Sequence, residues 1–358
     1  MIINKEYFKI KKMHFMDAVC TDGKLFFFDT NMKAFFACEI EDESLTYLRV
    51  SNEKNEIQEN PRKIVSYHDD LYTVQASSCI VNHYLYKDGG LLFCGQIIAD
   101  KFMGKVKDAF LYNGALWIVP TEDRFSIAII DLSLETVEYL KITECSRRSG
   151  GFRDTTCTNN KIFISYVGNG DLCCINMVDR SIEILVAVIP NPIEGIASKE
   201  NEIFLRVRGG KEIYSWDMNV KKSRLIAKSN DNYEDIGKLR VLQDGNIIIC
   251  PIYDNKFFYV NLNSKGIIPI ENENEIRHNK GITFTIDTEE YKGSLYVCPW
   301  AGEKIVKISL KNQTYTAKGL DFKILKENYQ EYFRDKRLVG NIIQEGDCIQ
   351  LEDFLQML

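Results

Sequence analysis

The chain has 358 residues, 45% of them apolar, which is enough for a sizeable core and excludes a disordered chain. Its 45 basic and 51 acidic residues give a net charge of −6, so the basic surplus that nucleic-acid binding relies on is missing, and the sign favours solubility. No run approaches the roughly 18 apolar residues of a membrane helix, and MIINKEYFKIKKMHF at the start lacks the apolar centre and small-residue cleavage site of a secretory leader, so no membrane is expected.

The cysteines number 11, an odd count with no C-x-x-C spacing, and most lie inside apolar runs such as CCIN, IIICP and LYVCPW. There they act as small hydrophobes, which points to a reducing cytoplasm and away from zinc or disulfides.

Along the chain one unit recurs: a tight turn, a short apolar strand, a loop, a second strand, a turn and a wetter strand. Residues 113–140 show it best, with Asn113-Gly114 as the turn. Aligned on the first apolar residue after each turn, the copies start at Leu25, Leu71, Leu116, Ile162, Ile203, Ile247 and Leu295, at intervals of 46, 45, 46, 41, 44 and 48 residues. A polar–apolar pair closes the third strand of each unit: Glu39-Ile40, Asp131-Leu132, Asn176-Met177, Asp217-Met218, Asn261-Leu262 and Ser309-Leu310. It falls 14 residues after the anchor, or 15 in the Leu116 copy; in the second copy it is displaced toward Lys87-Asp88.

A further strand precedes each anchor: Met16 to Thr21, Arg62 to Tyr67, Lys107 to Leu111, Arg153 to Thr158, Glu194 to Ser198, Lys238 to Leu242 and Thr283 to Ile286. A period in the forties with four short strands predicts an all-β fold, a seven-bladed β-propeller of four-stranded antiparallel blades, with six blades as the alternative. A single blade cannot bury both faces, so it stacks on its neighbours, and its middle strands (FFF, LWIV, IIIC, LYVC) are apolar throughout. The blades are expected near 14–50, 61–99, 106–141, 152–187, 193–228, 237–271 and 281–323, within a propeller over 1–325. Glu6 to Ile10 is a candidate to pair with the last blade; otherwise closure falls to docking of the first blade on the seventh.

Residues 326–358 read as an appendage and not an independent domain. KENYQEYFRDKR predicts a helix with Tyr329, Tyr332 and Phe333 on one side. A strand pair turned at Glu345-Gly346-Asp347 and a short helix over Leu351 to Leu358 are expected after it.

The start of each innermost strand faces the central channel near one mouth. Eight residues before the anchors stand Asp17, Lys63, Asp108, Asp154, Gly195, Leu239 and Asp287; nine before, in the fifth and sixth copies, stand Glu194 and Lys238. With Arg62, Lys107 and Arg153 these make a ring of carboxylates interleaved with cations, the candidate ligand-binding set. Such a ring can bind a polar ligand, hold a divalent cation on oxygens or supply an acid/base pair. Its aspartates have a structural alternative: an Asp repeated from copy to copy accepts hydrogen bonds from the next blade. Arg153 and Lys238 break the repeat and so point more directly to a ligand.

Gly150-Gly151, flanked by Arg147 and Arg148, is either a flexible turn or a loop that approaches an anion. His14, His68, His83 and His278 show no metal-pair spacing, and no G-x-S-x-G, phosphate loop or H-E-x-x-H occurs. No metal site or cofactor is therefore assigned. Trp117 and Trp216 are expected in the core, and Trp300 is the candidate for an aromatic exposed on a loop.

The N/D-G-x-L-Y/W starts and the 14-residue step to D/N-L resemble the β-propeller superfamily over roughly residues 14–323, nearest to kelch-like and bacterial YVTN-like repeats. The Gly-Gly doublets and spaced Tyr…Trp of kelch are absent, and Trp216-Asp217 is the one W-D pair. Two functions are carried forward. The first is a monomeric, non-enzymatic binding module that presents the loop face around the channel to a protein, peptide or glycan. The second is a channel-mouth hydrolase or lyase on a polar substrate, using Asp108 or Asp154 with Arg153. Propeller enzymes of those classes often need a divalent ion, which the resemblance implies and the residues do not.

Overall fold

The computed structural model describes residues 7–9, 15–30, 32–51, 60–142, 151–209, 211–229, 236–251, 256–262, 265–273, 285–299, 304–311 and 314–338. They form seven sheets in chain order, each built on four antiparallel strands in simple up-and-down sequence. In the third blade Val106–Tyr112 pairs with Ala115–Pro120, then Ser126–Asp131, then Thr136–Lys141. The first strand of each sheet neighbours the first strand of the next, so seven such strands line the axis. The ring has seven blades, not six.

Burial explains the apolar runs. On the second strand of the third blade, Leu116 and Ile118 pack against Tyr72, Val74 and Val81 of the second blade. The alternate residues Trp117 and Val119 pack against Ile162, Ile164 and Cys173 of the fourth. Side chains alternate faces along a strand, and here both faces are interior. The fourth strand lies at the rim: Thr136–Lys141 is partly or fully exposed throughout. A two-residue turn joins the first and second strands of the third blade, with φ of 47° at Asn113 and 74° at Gly114, the double positive φ that matches strand twist.

Two details differ from the expectations. In the second blade Asp70 faces Leu85, the level at which Lys24 faces Glu39 in the first. The third strand there runs on to Lys87 and turns tightly at Asp88-Gly89, so the register is kept and only the marker residues change. The last inner strand is Thr285–Tyr291, later than expected, because it runs straight into a two-residue turn at Lys292-Gly293.

Ring closure uses a device found elsewhere in the fold. After the rim strand of the first blade, Val50–Ser51 pairs in parallel with the rim of the second. After the sixth, Glu271–Asn272 does the same on the seventh. After the seventh, Lys323–Leu325 adds in parallel to Ser44–Leu48 of the first blade. Tyr7–Lys9 then pairs antiparallel with Lys323–Leu325, and not with the last blade as the sequence suggested. The inner strands Phe15–Thr21 and Thr285–Tyr291 also meet. Glu43 fastens the seam: its carboxylate accepts from Lys318 Nζ at 2.5 Å and from the Asp321 amide at 2.7 Å.

The helix Lys326–Leu338 follows at once and is pinned to the first blade. Tyr329 and Tyr332 are buried in one cluster with Phe36, Tyr47 and Phe322, and the Tyr332 hydroxyl donates to the Met32 carbonyl at 3.1 Å. Asn328 Oδ1 accepts from the Tyr47 amide. The strand pair and final helix expected after it lie outside the described residues.

Candidate functional site

Every inner strand carries a register irregularity at its mouth end. In the third blade Val106 faces Pro120 and Asp108 faces Val119, so Lys107 is one residue more than the partner strand can pair. The same shift makes Arg62, Arg153, Glu194 and Ile286 the extra residues of the second, fourth, fifth and seventh blades. It falls between Phe15 and Ala18 in the first and between Ile236 and Leu239 in the sixth, where Lys238 lies. A β-bulge of this kind bends the strand and re-aims a side chain. Here it separates two neighbouring positions that the sequence alone runs together: the extra residue nine before the anchor, and its successor eight before.

The successor turns sideways to the next blade. Asp17 Oδ2 accepts from the Ile64 amide at 2.6 Å, and Asp154 Oδ2 from the Ile196 amide at 3.0 Å. Asp108 Oδ2 accepts from the Thr155 hydroxyl at 2.6 Å, while its Oδ1 takes the Ala109 amide at 2.9 Å. In each case the donor lies one residue past the matching position of the following blade. These carboxylates are buried. The structural alternative weighed for the repeated aspartates describes their geometry. Lys63, at the same position in the second blade, sits 3.6 Å from Asp17 and 4.0 Å from Asp108 and bridges them.

The extra residues carry the remaining charges. Arg153 pairs with Glu194, whose other oxygen lies 3.7 Å from Arg208. Arg62 reaches the Lys107 carbonyl at 3.2 Å. Lys107 keeps part of its surface open but is enclosed by the ring, and loss of solvent pushes its pKa from 10.5 down to about 8. Asp154 and Asp108 pull that value up; Lys238 and Arg62 push it down. Lys238 belongs to the sixth blade, so its influence on the third runs across the channel. Arg62, Lys107 and Lys238 therefore stand at equivalent bulges and oppose one another's charge, with Asp108 and Asp154 drawing Lys107 the other way. The side chain of Asp287 is outside the described set.

No family model matches the sequence, and no curated protein matches it either. Solved structures do match in shape. The WD40 β-propeller domain of Doa1 aligns with TM-score 0.60 at 10% identity, covering 86% of this chain and 97% of that one. A catalytically inactive virginiamycin B lyase from Staphylococcus aureus, with quinupristin, gives 0.62 at 11% over 86% and 99%. Kluyveromyces lactis Hsv2 gives 0.56 at 12% over 87% and 98%. The chain is a β-propeller. At these identities the likeness carries the fold alone.

Trp117 and Trp216 are buried between blades, as expected. Trp300, His14, His278, Gly150, Arg147 and Arg148 lie outside the described residues. Gly151 is described, and a Cβ there would sit 2.8 Å from the Thr121 carbonyl oxygen, so close approach accounts for that glycine. One pair was missed. His83 Nε2 lies 2.9 Å from Asp70, and its ring stacks on Tyr72 at 4.6 Å. Tyr72 and His83 are cross-strand partners, so that contact becomes readable only once the register is known.

A groove of about 380 Å³ lies between the first and second blades, at the turn end and away from the mouth, lined in part by Lys24, His68, Asp69 and Tyr86. Among the described residues no three His, Cys, Asp or Glu side chains are grouped to hold a metal ion, and no helix is long and apolar enough to cross a membrane.

Proposed function

We propose that the propeller is a non-enzymatic binding module that presents the loop face around its channel mouth to a protein, peptide or glycan. One observation carries the reading: Asp17, Asp108 and Asp154 each give an oxygen to the next blade, while the bulge residues beside them bring further charge, Lys107 and Arg153, to the mouth end of the strands. A carboxylate that holds two blades together is poorly placed to shuttle protons, because giving up its charge weakens the join. The connections around the mouth add apolar contact area, with Met103 64% and Val186 65% exposed.

The test is a screen of the purified chain on peptide and glycan arrays, repeated with Arg62→Ala/Lys238→Ala and with Lys199→Ala at the opposite end. Binding lost only in the mouth variant supports the module. Binding lost only in Lys199→Ala, or turnover of a polar substrate that depends on Asp108 and a divalent ion, replaces it with another surface or with a hydrolase or lyase.

A further inference from the structure

The bulge positions carry four cations, Arg62, Lys107, Arg153 and Lys238, and one carboxylate, Glu194, with Asp108 and Asp154 drawing Lys107 from behind. Glu194 is taken by Arg153 and Arg208, and Asp17 sits with Lys63. Arg62, Lys107 and Lys238 remain, contributed by the second, third and sixth blades. Among the described residues, neither Lys107 nor Lys238 forms an ion pair within 4.0 Å. The Arg62 guanidinium lies 3.2 Å from the Lys107 carbonyl, Lys238 stands at the equivalent bulge of its own inner strand, and both oppose the Lys107 charge.

Like charges gathered in an enclosed, poorly solvated space repel one another more strongly than they would in water. Here the crowding is built in, because the irregularity that directs these side chains recurs at the same point of each inner strand. An anion between them removes the repulsion and supplies the acceptors that two ammonium groups and a guanidinium can use. Arginine contributes a planar fork suited to carboxylate or phosphate; the lysines contribute point charges.

We propose that Arg62, Lys107 and Lys238 form an oxyanion site in the channel, seating the carboxylate or phosphoryl end of a ligand that enters from the mouth. This rests on the mouth being the binding face and names the chemistry of what it binds. Asp108 and Asp154 each give an oxygen to the next blade, so an acidic ligand end is the group that supplies acceptors to all three cations at once.

The experiment is thermal unfolding of the full chain in sodium phosphate, sodium citrate or maltose at constant ionic strength, for wild type, Lys107→Met and Lys238→Met. A ligand that binds only the folded state raises the midpoint. Phosphate or citrate is expected to raise it saturably in the wild type and maltose to leave it unmoved. Each variant is expected to need about tenfold more anion or greater for the same shift. Phosphate acting alone identifies a phosphoryl end, and citrate acting alone a carboxylate. No saturable shift with either anion, or shifts in both variants equal to those of the wild type, overturns the site. Calorimetric titration of the same anions gives a readout independent of each variant's own stability. The two proposals fail separately: an array ligand whose binding survives Lys107→Met keeps the module and removes the oxyanion site, whereas anion binding with no array ligand does the reverse.

Discussion

Removing the Asp154 carboxylate tests the division of labour between neighbouring positions most directly. Asp154 is 4% exposed, and its Oδ2 holds the Ile196 amide of the next inner strand at 3.0 Å. Asp154→Ala strands that amide at a residue that is 0% exposed, where water cannot replace the lost acceptor. A hydrogen bond to a charged group is worth about 1.5–3 kcal/mol, and a stranded buried donor costs a similar amount, so the loss should be about 2–3 kcal/mol. Asp154→Asn keeps an acceptor and should lose roughly half as much. By contrast, Arg153→Ala, one residue earlier, removes a half-exposed partner of Glu194 and should cost about 1 kcal/mol or less. Urea unfolding at unchanged m-value measures each loss, and amide exchange locates it, with protection falling first at Ile196. If Asp154→Ala unfolds within about 0.5 kcal/mol of wild type with Ile196 still protected, the lock is not a lock.

Lys107 binds its proton less tightly folded, at about 8, than unfolded, at 10.5, so the unfolded chain holds more protons between those values and stability is gained as pH rises through that window. The gap corresponds to at most about 3 kcal/mol. Lys107→Met should therefore be more stable than wild type at pH 7, with the advantage shrinking between pH 8 and 10.5; thermal midpoints of both proteins across that range check it. The difference between the two is the readout, because burial pushes Cys79 and Cys250 up to about 12, and those thiols make the fold itself less stable above their unfolded value of 9.0. Gly170→Ala would place a Cβ 1.9 Å from the Ile189 carbonyl oxygen, a backbone atom that cannot swing away, and should cost about 2 kcal/mol or more in urea unfolding. Glu43→Ala removes the acceptor of Lys318 and of the Asp321 amide and should cost about 1–3 kcal/mol, with faster exchange at Asp321 and Lys323 before the rest of the ring.

Much of the ring is legible because its causes are local. A two-residue turn needs Asn, Asp or Gly, and a strand covered on both faces needs an apolar run, so Asn113-Gly114 followed by LWIV marks a blade with no knowledge of its neighbours. The bulge is a single residue, and it shows in the sequence only as a count that wavers between eight and nine. Glu194 and Lys238 were found at nine; Arg62, Lys107 and Arg153 stand at the same place. Which of two adjacent charges turns inward and which locks the next blade depends on pairing that only the folded strands display. The seam was hidden for another reason. Lys323–Leu325 is three residues long, too short to announce a strand, and its partner Ser44–Leu48 lies nearly the whole chain away.

The extra residue of each inner strand makes no ladder contact, so the ladder places no demand on what it is. Those places around the axis can thus be reassigned one at a time, as letters on a combination dial, while Asp17, Asp108 and Asp154 keep their hold on the next blade. Shuffling Arg62, Lys107, Arg153, Glu194 and Lys238 among their blades would yield a set of molecules equal in architecture and different in the pattern of charge around the axis.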